Sequence, residues 1–202
     1  IVTHHPLIFQ PVRAVSDESF TGENLLWLIE NGIAAVNLHT NLDCAPGGVN
    51  DILAKTLGLM DISVLDPMGQ DAQGRDYGLI RTGTVAPCTL RAFAAHVKQA
   101  LACPGVRFAD GGKPVHKVAV GGGSCGSELE AVIAAGCDTF VTADLKYNHF
   151  EEAKYRGLNL IDAGHFETEN PVCAYLADIL RAAFPELEVH ISRTHRDETQ
   201  FL

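Results

Sequence analysis

Short β-branched runs alternate along most of the chain with stretches whose apolar residues recur every three or four positions. That alternation predicts an α/β fold with mainly parallel sheets flanked by helices. Strands are expected over 33–38 (IAAVNL), 78–85 (GLIRTGTV), 115–120 (VHKVAV), 138–143 (DTFVTA), 158–163 (LNLIDA) and 187–192 (LEVHIS), with Ile1-Val2-Thr3 as the stub of a seventh. Helices are expected over 23–31, where Leu25, Leu28 and Ile29 share a face ahead of Gly32, and over 50–57, which opens on Asn50 and stops at Gly58. Three further apolar stripes mark 90–101 (Leu90, Phe93, Val97, Leu101), 127–135 (Leu129, Val132, Ile133) and 171–184 (Val172, Leu176, Ile179, Ala183) as helices facing a core. Pro171 suits a helix start, because proline at the first helical position gives up no bonded N–H.

The polar, turn-rich segments 66–77 and 103–114 read as linkers or lobe edges. The chain begins inside an apparent buried strand without an initiator Met, so an upstream segment is expected to precede it.

Composition narrows the class. With 202 residues, 47% apolar, the chain can bury a core without disulfides or a structural metal. Its six cysteines form no C-x-x-C pair and read as buried thiols in a reducing, cytoplasmic compartment. A net charge of −10 argues against a nucleic-acid surface, which needs a positive stripe, so an anionic substrate must be met locally. No apolar run approaches the roughly 20 residues of a membrane span, and no signal peptide is visible.

Ligands of open α/β sheets bind beyond the carboxyl ends of strands, and there the polar residues are unevenly spread. His4-His5 follow the stub, His39-Thr40-Asn41-Leu42-Asp43 follow 33–38, and Gly164-His165-Phe166-Glu167-Thr168-Glu169 follow 158–163. Imidazole with carboxylate is the donor set of Zn, Fe, Mn or Ni. Five side chains, His4, His5, Asp43, His165 and Glu169, serving two divalent ions with about three protein ligands each require a bridging carboxylate. Glu169 is the expected bridge and Asp43 the alternative. Two ions about 3.5–4 Å apart can deprotonate a shared water and clamp an oxyanion, which is hydrolase chemistry. Singly, each residue has a plainer explanation: a strand-end histidine pair, a turn cap at Asp43, a helix-start carboxylate at Glu169. Their joint placement carries the metal reading. His39 is expected to orient a ligand from the second shell.

Gly121-Gly122-Gly123-Ser124-Cys125-Gly126 matches G-x-G-x-x-G, with Asp144 placed after the next strand, so a nicotinamide-dependent oxidoreductase is one alternative. Phosphate of a substrate held by Gly121, Gly122, Gly123 and Ser124 is another, and a tight turn a third. Cys125 lacks an adjacent base and is a poor nucleophile candidate. Asp144, Lys146 and His149 follow strand 138–143, where they either bind substrate or start a solvated helix, and Lys146 and His149 are the side chains available to support catalysis.

Taken together, His4-His5-Pro6-Leu7, His39-Thr40-Asn41-Leu42-Asp43 with Ala45-Pro46-Gly47-Gly48-Val49-Asn50-Asp51, Gly121-Gly122-Gly123-Ser124 and Gly164-His165-x-x-Thr168-Glu169 resemble the NIF-three-like proteins, GTP cyclohydrolase I type 2 homologues. The resemblance implies a dinuclear metal centre at His4, His5, Asp43, His165 and Glu169, in a cleft between two α/β lobes. One lobe would combine 1–66 with 158–202 and the other, 67–157, would carry the glycine loop. It also implies a toroidal homohexamer, GTP cyclohydrolase or other hydrolase activity, and a short form lacking the domain that some members insert mid-chain. A metal-binding scaffold or regulatory hexamer without turnover is the competing function.

Overall fold

Along three neighbouring strands, Val118, Val120, Val141 and Ile161 alternate with Ala119, Phe140 and Leu160, and the two sets enter separate apolar clusters. A period of two sends them to opposite faces of one sheet. In the computed structural model, which describes residues 1–202, this sheet belongs to the larger of two compact units, Cys44–Leu202; the smaller is Ile1–Asp43.

Within Cys44–Leu202 the sheet has six strands in the order β3 (Met60–Leu65), β6 (Ile80–Cys88), β8 (Val115–Val120), β9 (Thr139–Thr142), β10 (Asn159–Asp162) and β7 (Arg107–Ala109). Only β8–β9 and β9–β10 pair in parallel, so the sheet is mixed rather than mainly parallel. Helices α3 (Val49–Thr56) and α4 (Leu90–Ala100) cover one face through Leu53, Phe93 and Val97. Helices α5 (Leu129–Ala134) and α6 (Tyr147–Arg156) cover the other through Leu129, Val132 and Ala153. Covered on both sides, β8, β9 and β10 are buried almost throughout, as continuous apolar strands should be.

Three differences from the sequence expectation have physical causes. Segment 66–77 holds a small hairpin, β4 (Gly69–Gln70) with β5 (Asp76–Tyr77), whose turn is fixed by Asp71 accepting from the amides of Gln73 and Arg75. Segment 103–114 contributes β7, antiparallel to β10. Residues 187–192 form no strand: Leu187 and Ile191 are exposed and no neighbouring strand pairs with them. The sheet also draws β3 and β10 from the segment expected to be one lobe and β6, β7, β8 and β9 from the other. The crossover through α6 lays β10 directly beside β9 in parallel.

Edge strand β3 shifts register against β6 between Met60 and Ser63, where Asp61 takes a left-handed conformation (φ 52°). Arg81 of β6, fully buried, donates to the Asp51 carboxylate and to the carbonyls of Gly78 (2.6 Å), Cys44 (3.0 Å) and Ala45 (3.2 Å). A charge removed from water this completely needs such partners. It ties the turn before α3 to the sheet.

Within Ile1–Asp43, β1 (Val2–Thr3) pairs in parallel with β2 (Val36–Asn37), the two strands being joined through helix α1 (Phe20–Glu30). Ser19 caps α1 by accepting from the Gly22 amide (3.1 Å). Short helix α2 (Thr40–Cys44) follows β2. In the larger unit, α7 (His165–Glu169) and α8 (Val172–Ala183) complete the ordered elements. No helix is long and apolar enough to cross a membrane.

Candidate metal centre

Parallel pairing brings the residues just past two adjacent strands side by side. In the smaller unit this gathers His4 and His5, beyond β1, with His39, beyond β2: the ring centroids are 5.2 to 5.5 Å apart. One nitrogen of each lies within 4.8 Å of the others. His39 therefore stands among the candidate ligands as well as beside them. The turn of α2 then places Asp43 Oδ1 3.4 Å from His4 Nε2, and both side chains are nearly buried.

His4 Nδ1 lies 2.7 Å from the Leu38 carbonyl. A carbonyl only accepts, so Nδ1 carries the proton, and in the neutral ring Nε2 is the lone-pair nitrogen. That is how a ligand histidine is oriented.

In the larger unit Gly164, at φ 86°, turns the chain from β10 into α7. Helical spacing sets His165 and Glu169 one turn apart, with Nε2 3.1 Å from Oε1. His165 Nδ1 lies 2.7 Å from Asp144 Oδ2. Asp144 is the second residue past the β9 end, and because β9 and β10 are parallel neighbours, the two loop starts lie side by side. The hydrogen bond with Glu169, then that with Asp144, holds the His165 pKa up at about 9 against partial burial. In the absence of a metal this ring is a cation between carboxylates.

The donors fit a divalent ion by their chemistry. Each unit presents imidazole nitrogen next to a carboxylate oxygen, with the far ring nitrogen fixed by an acceptor. Asp144, read from sequence as either a substrate residue or part of a solvated helix start, is hydrogen-bonded to His165.

The amides of the glycine loop are engaged from within the fold. The amide of Gly121 donates to Val141 O, Gly122 to Asn50 Oδ1 (2.6 Å), Gly123 to Thr168 Oγ1 (3.0 Å) and Cys125 to Thr142 Oγ1 (3.1 Å). These four amides are turned inward, and Asp144 is engaged by His165. Ser124 is exposed, and the buried Cys125 thiol donates to Gly122 O. Lys146 is exposed at the start of α6, and His149 Nδ1 accepts the Lys146 amide (3.2 Å), capping that helix.

Comparison with known proteins bears on the family and the fold. The model of the family described as Duf34/NIF3 (NGG1p interacting factor 3) matches residues 1–198. A Streptomyces coelicolor protein named GTP cyclohydrolase 1 type 2 homolog is 40% identical over 98% of this chain and 72% of its own length. A Nostoc protein of the same name is 34% identical over 98% and 74%. The crystal structure of a Bacillus cereus protein related to NIF3 superposes with a TM-score of 0.87, covering 100% of this chain and 82% of that one at 26% identity. The fold, the motif order and these matches together assign the chain to the Duf34/NIF3 family.

Proposed function

We propose that the chain holds two divalent metal ions (Zn, Fe, Mn or Ni) with His4, His5, Asp43, His165 and Glu169, and hydrolyses a nucleotide or related phosphorylated compound. The observation that supports this is the pairing, in each unit, of a histidine Nε2 with a carboxylate oxygen while Nδ1 is tied to a fixed acceptor. Divalent ions held there would activate water at neutral pH and offset negative charge on the leaving group. The protein's own contribution is orientation. The Leu38 carbonyl fixes the His4 tautomer, Asp144 aims His165, and Glu169 is the expected bridge, with Asp43 the alternative. Lys146, exposed at the start of α6, supplies the positive charge to meet an anionic substrate. The relatives' name makes GTP ring opening the named candidate. A cytoplasmic toroidal homohexamer is the assembly proposed with it.

The test is metal content and turnover together. Wild-type protein purified without a nickel column should carry about two ions per chain and hydrolyse GTP or a member of a phosphoester panel. His165→Ala should lose metal and turnover together; metal content equal to wild type would overturn the site. A metal-binding scaffold without turnover is the second reading, favoured by the inward-turned amides of the glycine loop. It gains if metal-replete protein hydrolyses nothing on the panel.

A further inference from the structure

Asn50 is fully buried in α3, and both ends of its amide are used: Nδ2 donates to the Leu79 carbonyl (2.6 Å) and Oδ1 accepts from the Gly122 amide (2.6 Å). Thr168, almost fully buried between His165 and Glu169, takes the next amide along. Its Oγ1 accepts from Gly123 N (3.0 Å) and its hydroxyl can donate to the carbonyls of Gly164 (2.9 Å) or His165 (3.0 Å). The loop is held from its far side too, where Gly123 O accepts from the Ala143 amide (2.9 Å) and the Thr142 hydroxyl (3.0 Å). Gly123 itself is left-handed (φ 63°), and a β-carbon on it would stand 2.2 Å from Glu169 Oε1 and 3.0 Å from His165 Nε2. The backbone of this glycine is thus the surface against which both ligand side chains are set.

We propose that Asn50 and Thr168 are positioning residues for the His165–Glu169 pair: they clamp the glycine loop so that Gly123 forms a rigid wall behind the Glu169 carboxylate and the His165 imidazole. This rests on the metal reading of that pair. The physical logic is that a carboxylate on a flexible stem spends rotamer freedom when it binds an ion, and a wall that removes the unproductive rotamers beforehand lowers that cost. Two buried polar side chains, each satisfied by a loop amide, hold the wall more specifically than apolar packing does. It also gives the glycine-rich sequence a reason other than anion binding: no side chain fits at 123, and the amides at 122 and 123 are the clamp points.

The test is cobalt(II) titration of the full chain, read by visible absorption and by calorimetry, at a temperature well below the Tm of every variant. Thr168→Val keeps the shape and removes the hydroxyl; it should weaken cobalt binding by about 10–100-fold, and Thr168→Ser should restore it. Asn50→Ala should weaken binding in the same direction, and Gly123→Ala should alter the cobalt spectrum by displacing Glu169. If Thr168→Val and Asn50→Ala lower Tm but leave cobalt affinity and spectrum as in wild type, the positioning role is wrong. The underlying reading has its own control. Should His165→Ala and Glu169→Ala bind as many cobalt equivalents as wild type, the metal assignment fails, whatever Thr168→Val does.

Discussion

His4 and His165 each follow the end of a strand, but the strands differ in kind. β1 has one neighbour, and Val2 and Val36 on the pair are 42% and 52% exposed. β10 has neighbours on both sides, and Leu160 and Ile161 are fully buried on opposite faces. The partners differ too. His4 is oriented by a neutral backbone carbonyl, whereas His165 is gripped by two carboxylates. One group of donors is therefore carried on a thin support with an uncharged anchor, the other on a buried sheet with a charged one. The support decides how stiffly a ligand is held, and the anchor decides what proton must leave when a cation arrives.

Hydrogen exchange should expose the contrast most strongly. Amides of Phe140–Thr142 and Leu160–Asp162 should exchange only through global opening, at least about a thousandfold more slowly than those of Val36 and Leu38 in the metal-free protein. Similar protection in the two regions would break the comparison. Mutation should repeat it on a smaller scale. Phe140→Ala, at a fully buried position, should cost about 3–5 kcal/mol by denaturant unfolding. Val36→Ala should stay within about 0.5 kcal/mol.

The anchors are separated by pH. The His165 pKa is raised from 6.5 to about 9, so its contribution to the metal-free fold is complete below pH 6.5, fades as the pH rises, and is gone above about 9. Between those limits the Tm of metal-free wild type should fall more steeply than that of His165→Gln; parallel curves would remove the charged anchor. The smallest effect concerns a buried group away from the donors. Burial pushes the Cys103 thiol up to about 11, and its Sγ donates to the Ala163 carbonyl (3.1 Å). Native protein at pH 8 should leave Cys103 unalkylated until it is unfolded.

The parts legible in the sequence are those whose environment is local or buried on all sides. Strand 115–120 is found at its expected bounds, and 139–142 and 159–162 lie inside theirs, because fully covered strands write continuous apolar runs. β3 escaped notice since an edge strand with a bulge keeps no clean alternation, and Leu187-Val189-Ile191 imitated one without a neighbour to pair with. Of helix α6 only a solvated start near Lys146 is suggested by the sequence, because the helix is polar and only Ala153 on it is buried. The candidate ligands were visible because strand ends could be placed, and the structure brings together those of each unit. The links that carry Asp144 to His165 and Asn50 to Gly122 were not legible, since they depend on which strands are neighbours, and sequence spacing does not encode that.

The register shift at Asp61 has a consequence for the chain in company rather than alone. β3 ends the six-stranded sheet, and an unbroken edge strand offers its free amides and carbonyls to any passing segment. A left-handed aspartate, the second residue of the strand, interrupts that row, and its carboxylate lies 3.5 Å from Thr84 Oγ1 of β6. The opposite edge, β7, is three residues long and carries Arg107. A broken row on one margin and a three-residue strand on the other make both edges of the sheet poor templates for a further strand.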